Sequence, residues 1–240
     1  MSFERLTFEL IVFDWDGTLM DSEARIVSCI HKAFAELNLP VPSREAARDI
    51  IGLGLDEAMA RLMPGAGPGL RAELITHYRR HFLGGDATPS VLFPGVRETL
   101  DWLAGRGHRL AVATGKSRPG LDKSMRETGL GSYFHATRCA DETFSKPNPQ
   151  MLLELMEELG ASPEETLMIG DTEYDLLMAR NARVESLAVS YGVHPPERLM
   201  AHGPLACLDA LSELRPWLER RAGESSTTGM GSLRGMGAVG

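Results

Sequence analysis

Two aspartates lie close together directly after an apolar segment near the start of the chain. Residues 10–13 read LIVF, and Asp14 and Asp16 follow with a single residue between them. In an extended segment the two carboxylates face the same side and begin about 6–7 Å apart. Like charges at this distance repel each other, so we expect a compensating charge beside them.

Further polar residues follow other apolar segments. Thr114 and Gly115 come after one such segment, and Asp171 comes after another, with Asp175 four residues later. In a parallel sheet the carboxyl ends of the strands share an edge, which is where ligands bind in such folds. Lys146 lies in a loop before a helix and can reach the same edge. We therefore expect these residues to meet the first two aspartates in one crevice.

The residue types in this crevice indicate a particular chemistry. Its acids are Asp14, Asp16, Asp171 and Asp175. Four carboxylates around one cavity need a cation, and Mg²⁺ fits because it binds oxygen ligands together with water and phosphate oxygens. Gly17 lets a backbone N–H group approach an anion closely, while Thr114 adds a hydroxyl and Lys146 a positive charge. Together these groups predict phosphoryl transfer through an aspartyl-phosphate.

The elements that position these residues follow from an alternation along the chain. Strand-like segments occupy residues 10–13, 108–114, 134–138, 166–171 and 186–192. Helical periodicity occupies residues 95–104, 118–128, 148–159 and 173–181. Strands that alternate with helices predict a parallel sheet with right-handed crossovers. The expected fold class is therefore α/β, with a doubly wound, Rossmann-like sheet.

An all-helical block interrupts this pattern between residues 20 and 90. Its helical pieces lie at 22–38, 43–50, 55–62 and 69–83, and Ser22 is a candidate N-cap of the first. We expect this block to form a cap inserted into a core of residues 1–19 and 91–221. Residues 222–240 are rich in Gly, Ser and Thr without periodicity, which predicts a disordered tail.

Composition narrows the class of protein. The 240-residue chain is 43% hydrophobic and carries a net charge of −8, which disfavours a nucleic-acid partner because phosphates need a basic face. No segment approaches the roughly 20 apolar residues of a membrane helix, so we expect no membrane partner. Cys29, Cys139 and Cys207 form no CxxC pair, a pattern typical of the cytoplasm. A monomer and a homodimer both remain open.

Four separated segments of the chain resemble a known family. They are DWDGT at 14–18, ATG at 113–115, SKPNP at 145–149 and GDTEYD at 170–175. In this order they are similar to the signature segments of the haloacid dehalogenase-like superfamily of hydrolases. The chain looks closest to its phosphoglycolate phosphatase-like branch, whose helical cap is inserted after the first segment. The resemblance covers residues 8 to about 215.

The resemblance implies a role for each site residue. Asp14 would attack phosphorus, and Asp16 would protonate the leaving oxygen and then activate the hydrolytic water, while its carbonyl binds Mg²⁺. Thr114 and the amide of Gly115 would hold phosphate oxygens, and Lys146 would offset developing charge. Asp14 and Asp171 would complete the implied metal ligands, and Asp175 would support them through water or Lys146. The implied substrate is a small phosphate monoester of the phosphoglycolate type.

Other activities of the same superfamily remain alternatives. A sugar-phosphate mutase of the β-phosphoglucomutase type carries cations in a cap segment where this chain reads IGLGL at 51–55. Ile51 and Leu55 stand at the charged positions, so a second phosphate has no evident anchor, and phosphate ester hydrolysis is favoured. A catalytically silent phosphate-ester-binding module is the alternative outside enzymes. Pyrophosphate and nucleoside monophosphates stay open as substrates.

Two further motifs fall short of their usual functions. ATGKS at 113–117 ends like a nucleotide-binding loop, but Leu110 stands where that loop needs glycine, so we expect Lys116 to be solvated. His77 and His81 have a zinc-capable spacing without a third ligand, which indicates a polar face of a cap helix. We also expect Trp15 to pack in the core rather than to contact substrate.

Overall fold

The computed structural model of the protein describes residues 8–230, which form a parallel sheet with helices on both faces. The strands are β1 (Leu10–Phe13), β2 (Met20–Asp21), β3 (Val91–Leu92), β4 (Arg109–Thr114), β5 (Ala136–Cys139), β6 (Thr166–Gly170), β7 (Glu185–Val189) and β8 (Cys207–Leu208). Six of them form the main sheet in the order β5-β4-β1-β6-β7-β8, with every pair parallel. This confirms the predicted α/β class.

Strand β1 lies at the centre of the sheet because all four of its side chains are apolar and can be buried on both faces. Its alternate residues enter different clusters: Ile11 and Phe13 pack on one face, and Leu10 and Val12 on the other. In register, Phe13 pairs with a residue of β4 and a residue of β6. The residues that follow these three strands therefore lie side by side.

The helices of the core are α5 (Val96–Gly105), α6 (Arg118–Thr128), α7 (Gln150–Leu159), α8 (Glu173–Asn181), α9 (Pro196–Met200) and α10 (Leu214–Met230). Apolar residues of α5, α6 and α10, including Leu100, Leu121 and Leu214, cover one face of the sheet. Residues of α7 and α8, including Leu155 and Met178, cover the other. The sheet is therefore doubly wound. Trp15 is fully buried among the first group, as expected.

The inserted block contains α1 (Glu23–Glu36), α2 (Arg44–Asp49), α3 (Leu55–Leu62) and α4 (Pro68–Arg80), and α4 continues as a π-helical turn at His81–Gly85. Its helices pack around their own apolar cluster, which includes Phe34, Met59 and Leu74. Strands β2 and β3 pair antiparallel, so the chain enters and leaves the block through one short ribbon. We call residues 20–90 the cap.

Several details differ from the sequence-based expectations. Strand β8 and helix α9 were not expected, because two and five residues are too short to show a period. Helix α10 continues to Met230, into the segment 222–240 that composition predicts to be disordered. Buried Leu214 and Leu218 anchor this helix, and extending a formed helix costs far less than starting one. Residues 231–240 of that segment lie outside the described residues.

Among residues 8–230, no helix is long and apolar enough to cross a membrane.

Candidate active site

Three of the four expected acids meet at the carboxyl edge of the sheet. Asp14 follows β1, Asp171 follows the neighbouring β6, and Asp175 lies in the first turn of α8. One carboxylate oxygen from each lies within 4.8 Å of the others, and all three residues are fully buried. The parallel register explains this meeting, since it aligns the residues that follow adjacent strands.

The carboxylate of Asp171 is held by groups on both sides. Its Oδ1 accepts a hydrogen bond from the Thr18 hydroxyl at 2.9 Å, and its Oδ2 accepts one from the Val193 amide at 2.8 Å. Gly17 has a φ of +82°, and a Cβ at this position would lie 2.0 Å from Asp171 Oδ2. A side chain there would displace the acid, so the glycine provides room for Asp171.

The amide of Gly17 is not available to an anion, contrary to the sequence-based expectation. It donates to the carbonyl oxygen of Met20 at 2.8 Å, because the segment after Asp14 turns back into β2. The spacing of the motif did not reveal this turn.

Lys146 is the cation of the acidic group. Its Nζ lies 2.8 Å from Asp14 Oδ1 and 2.6 Å from Asp175 Oδ1, and its side chain is completely buried. The other oxygen of Asp175 accepts hydrogen bonds from the amide and the hydroxyl of Thr172, at 3.1 and 2.7 Å. These two bonds cap the start of α8. Asp175 therefore fixes Lys146 against the start of this helix.

One lysine does not balance three buried acids. Burial raises the pKa of Asp14 to about 7, although Lys146 opposes the change. Burial, and then the charges of Asp14 and Asp175, raise the pKa of Asp171 well above its usual range. Burial alone would lower the pKa of Lys146, but the two adjacent carboxylates outweigh it and the pKa is raised. The excess negative charge favours a bound cation.

The donor atoms of this group suit a hard divalent cation. All three acids offer oxygen, and neither oxygen of Asp14 has hydrogen-bond geometry to any described residue, even though Lys146 lies at ion-pair distance. Buried carboxylate oxygens without hydrogen bonds are costly, and oxygen-only sites are those that Mg²⁺ and Ca²⁺ prefer. The residues present therefore fit such an ion.

Asp16 faces away from this group, towards the cap. Its Oδ1 accepts a hydrogen bond from the Ser22 hydroxyl at 2.5 Å and lies 3.0 Å from Lys116 Nζ. Ser22 occupies the N-cap position of α1 but makes no side-chain capping hydrogen bond, since its hydroxyl is directed to Asp16. Asp16 is thus positioned separately from the three clustered acids.

The expectation that Lys116 is solvated is wrong. The residue is only 8% exposed, because Asp16 compensates its charge and the Phe82 ring of the cap covers it, with Nζ 4.2 Å from the ring centroid. Both partners are distant in sequence, so local patterning could not reveal them. Lys116 therefore joins cap and core at the site.

Thr114 and Gly115 lie beneath a loop of the cap. Thr114 ends β4 and is fully buried. A Cβ on Gly115 would lie 2.5 Å from the carbonyl oxygen of Gly52 and 2.6 Å from that of Leu53, so only glycine permits this approach. Gly115 therefore lets the cap loop pack closely against the core, in addition to any contact that its amide makes with an anion.

Hydrogen bonds hold the cap against the core around the site. The Gly54 amide donates to the Ser145 hydroxyl at 2.8 Å, and the Tyr174 hydroxyl donates to the carbonyl of Asp49 at 2.8 Å. Arg198 from α9 pairs with the Asp49 carboxylate. A cavity of about 50 Å³ lies between cap and core, and it is lined by both Asp14 and Asp16.

The two histidines of the cap face one acid rather than a metal group. His77 Nδ1 and His81 Nε2 lie 2.6 and 3.1 Å from the carboxylate of Glu36, which Arg80 also contacts. The described residues contain a group of three potential metal-ligating side chains only at the acidic site. The pair forms part of an ion-pair network, which agrees with the polar-face interpretation.

Fold and site together define a phosphatase with a doubly wound α/β core and an inserted cap. The chain belongs to the haloacid dehalogenase-like hydrolase family, whose sequence model matches residues 11–189. It is 37% identical to "Probable phosphatase IndB" of Dickeya dadantii, over 85% of this chain and 91% of that protein. It is 32% identical to a phosphoglycolate phosphatase of Vibrio parahaemolyticus, over 86% and 94% of the two chains.

A solved structure has the same architecture. A putative haloacid dehalogenase-like hydrolase from Bacteroides fragilis superposes with a TM-score of 0.81 at 25% identity, covering 86% of this chain and 99% of its own. The resemblance inferred from the four sequence segments is thereby confirmed.

Proposed function

We propose that the protein is a Mg²⁺-dependent phosphatase that hydrolyses a small phosphate monoester through an aspartyl-phosphate on Asp14. One observation carries this proposal. Asp14 is a fully buried carboxylate whose Oδ2 has no hydrogen-bond partner among residues 8–230, and it lines a cavity shared with a second acid, Asp16. A nucleophile needs a free oxygen, and a leaving alkoxide needs a proton donor, so this pair supplies both requirements.

The first half of the reaction transfers the phosphoryl group. An oxygen of Asp14 attacks phosphorus, the bond from phosphorus to the ester oxygen breaks, and Asp16 gives its proton to that oxygen. Thr114 and the amide of Gly115 hold phosphate oxygens, while Lys146 offsets the charge that develops on them. The product alcohol leaves through the cap.

The second half regenerates the enzyme. Asp16, now ionised, removes a proton from a water molecule that attacks the phosphorus of the aspartyl-phosphate. The bond to the Asp14 oxygen breaks, and inorganic phosphate is released. Ser22 and Lys116 hold the Asp16 carboxylate in place through both steps.

Asp14, Asp171 and the carbonyl of Asp16 are the groups we assign to Mg²⁺. Asp175 supports them through Lys146, which its Oδ1 contacts at 2.6 Å. When bound, Mg²⁺ supplies positive charge that relieves the repulsion among the acids and polarises the phosphate.

Phosphoglycolate is the substrate suggested by the name of a relative that is 32% identical, a phosphoglycolate phosphatase, and the lining of the cavity is what tests that suggestion. The mutase alternative has less support. Ile51 and Leu55 line the cavity at positions where a second phosphate would need cations. Hydrolysis of a monophosphate is therefore the activity that we propose.

Release of phosphate from p-nitrophenyl phosphate tests the proposal. We expect activity that requires Mg²⁺ and falls by about a thousandfold or more in Asp14→Asn. Asp21→Asn is the matched control, since Asp21 is an exposed acid of the ribbon, and it should keep the wild-type rate. A wild-type protein without activity would indicate the silent binding module. Isomerisation of a hexose 1-phosphate without phosphate release would indicate the mutase.

A further inference from the structure

The cavity that adjoins Asp14 has an apolar wall on the side of the cap. Side chains from α1, from the loop before α3, from α3 and from the end of the cap form this wall. Its main members are Ile30, Ile50, Ile51, Leu53, Met59 and Phe82. The leaving group of a phosphate ester bound at Asp14 would lie against these residues, because the opposite side of the cavity holds the catalytic acids.

The charged residues that line this cavity are Asp14, Asp16 and Lys116. Lys116 is the cation among them, and its Nζ already lies between Asp16 Oδ1, at 3.0 Å, and the Phe82 ring, whose centroid is 4.2 Å away. A carboxylate on the leaving group would therefore have to displace one of these contacts or be buried without a cation of its own, and either is unfavourable.

The neighbouring cleft offers no better site for an anion. It shares Leu55, Gly115 and Ser117 with the cavity and has a volume of about 220 Å³. Its charged residues are Arg79, Asp56, Glu57 and Asp141. Three acids against one arginine repel a negatively charged group at this entrance.

Tyr78 gives the cavity wall one neutral polar group. Its ring stacks on Phe82, and its hydroxyl makes no hydrogen bond with any residue in the described range. Burial raises the pKa of Tyr78 well above its usual value, so the hydroxyl stays protonated. It can donate one hydrogen bond to an uncharged oxygen, but it cannot neutralise an anion.

We propose that the leaving group is uncharged and mainly apolar, as in an alkyl phosphate, and that carboxylated esters such as phosphoglycolate are poor substrates. This inference rests on the proposed phosphatase function.

Isobutyl phosphate and phosphoglycolate form a matched pair of probes. The first has two methyl groups where the second has two carboxylate oxygens, so the pair differs in charge and hardly in shape. We expect kcat/KM for isobutyl phosphate to exceed that for phosphoglycolate by about tenfold or more. Equal values, or a preference for phosphoglycolate, would overturn the inference.

A cation placed in the wall should change this preference. Leu55 is half-buried at the start of α3 and lines the cavity. Leu55→Lys should reduce the preference for isobutyl phosphate by about tenfold or more, because the ammonium group pairs with the carboxylate. Leu62→Lys is the control, since Leu62 is a half-buried leucine of the same helix outside the cavity lining, and it should leave the preference unchanged. An equal change in both variants would contradict the role of the wall.

A binding experiment separates this inference from the proposed function. Calorimetry compares 3-methylbutylphosphonate with 3-phosphonopropionate, which replace the ester oxygen of the two probes by carbon and cannot be hydrolysed. We expect at least about tenfold tighter binding of the first. If the protein shows no turnover but still binds the two phosphonates in this order of affinity, the phosphatase function is rejected and the apolar site is retained. If the protein hydrolyses phosphate esters but binds 3-phosphonopropionate more tightly, the apolar site is rejected and the phosphatase function is retained.

Discussion

Lys146 connects two acids that would otherwise face each other without a cation. Its ammonium group lies within 2.8 Å of oxygens from both Asp14 and Asp175, and no part of its side chain is exposed. Removing one partner of a buried ion pair leaves an uncompensated charge, which costs much more than losing a surface pair.

Lys146→Met should therefore lower the free energy of unfolding by about 3–5 kcal/mol, measured by urea denaturation with a metal chelator present. Lys123→Met is the control, because Lys123 forms an i,i+4 pair with Glu127 on the surface of α6. That change should cost less than about 0.5 kcal/mol. Similar losses in the two variants would show that the buried pairs contribute little.

For Asp171 we expect a substitution not to destabilise the metal-free protein, which is the opposite of the effect at Lys146. Its pKa is raised by burial and by the two neighbouring acids, so its charge opposes folding when no cation is bound. Asp171→Asn should keep or increase the Tm in the presence of a chelator, and it should abolish the rise in Tm that we expect Mg²⁺ to produce in the wild type. Thermal scans with and without Mg²⁺ measure both effects. A Mg²⁺-dependent rise that persists in the variant would remove Asp171 from the metal site.

Residue types predicted which side chains meet, but not how each is directed. Asp14, Asp171 and Lys146 could be placed together because each follows a strand or precedes a helix of the predicted sheet. Asp16, Ser22 and Lys116 form a group only where the segments after β1 and β4 meet in the folded protein, so no local pattern could show it. Thr18 was missed as a partner of Asp171 because the two residues are far apart in sequence and meet only in the folded core.

At the level of elements, the cap is fixed by polar contacts at one end of α2. Asp49 pairs with Arg198 of α9, its carbonyl accepts a hydrogen bond from Tyr174, and Arg198 also contacts Glu173 at 2.5 Å. These contacts hold the loop that follows α2 above Gly115. Closure of a cap excludes water from the reaction, so weakening the contacts should affect turnover.

Arg198→Ala should lower kcat/KM for p-nitrophenyl phosphate by about two- to fivefold, since partly exposed ion pairs contribute up to about 1 kcal/mol. Arg215→Ala removes an exposed i,i+4 pair with Glu219 on α10 and should have no effect on kcat/KM. An unchanged kcat/KM in Arg198→Ala would show that this contact does not support the closed cap.

The order of elements was predictable because strands buried on both faces are continuous apolar runs and helices show their own period. The boundaries of β1, β4 and β6 agree with the sequence to within one residue. The ribbon formed by β2 and β3 was not predictable, since two-residue strands owe their pairing to the fold that surrounds them.

At the scale of the whole molecule, His108 links stability to pH. It is buried between α5 and β4, its Nδ1–H donates to the carbonyl of Phe8 at 2.8 Å, and burial lowers its pKa. The unfolded chain therefore binds a proton more readily than the folded one as the pH falls below about 6.5. The stabilisation from neutral His108 is complete above that pH and is lost as the pH falls towards the lowered pKa.

His108→Asn should reduce this pH dependence, because an amide can donate the same hydrogen bond without titrating. Urea denaturation at pH 7.5 and pH 5 gives the loss of unfolding free energy for each protein. We expect a smaller loss in the variant than in the wild type. A variant at position 108 with the full wild-type loss would contradict this assignment.

The central claim is that Asp14 carries the phosphoryl group during turnover. An acyl phosphate is reduced by borohydride, so quenching the reaction with acid and reducing the protein should convert this one aspartate to homoserine. We expect mass spectrometry to find homoserine at position 14 only when both a phosphate ester and Mg²⁺ were present before the quench. Homoserine at another acid, or a wild-type kcat/KM in Asp14→Asn, would contradict the account.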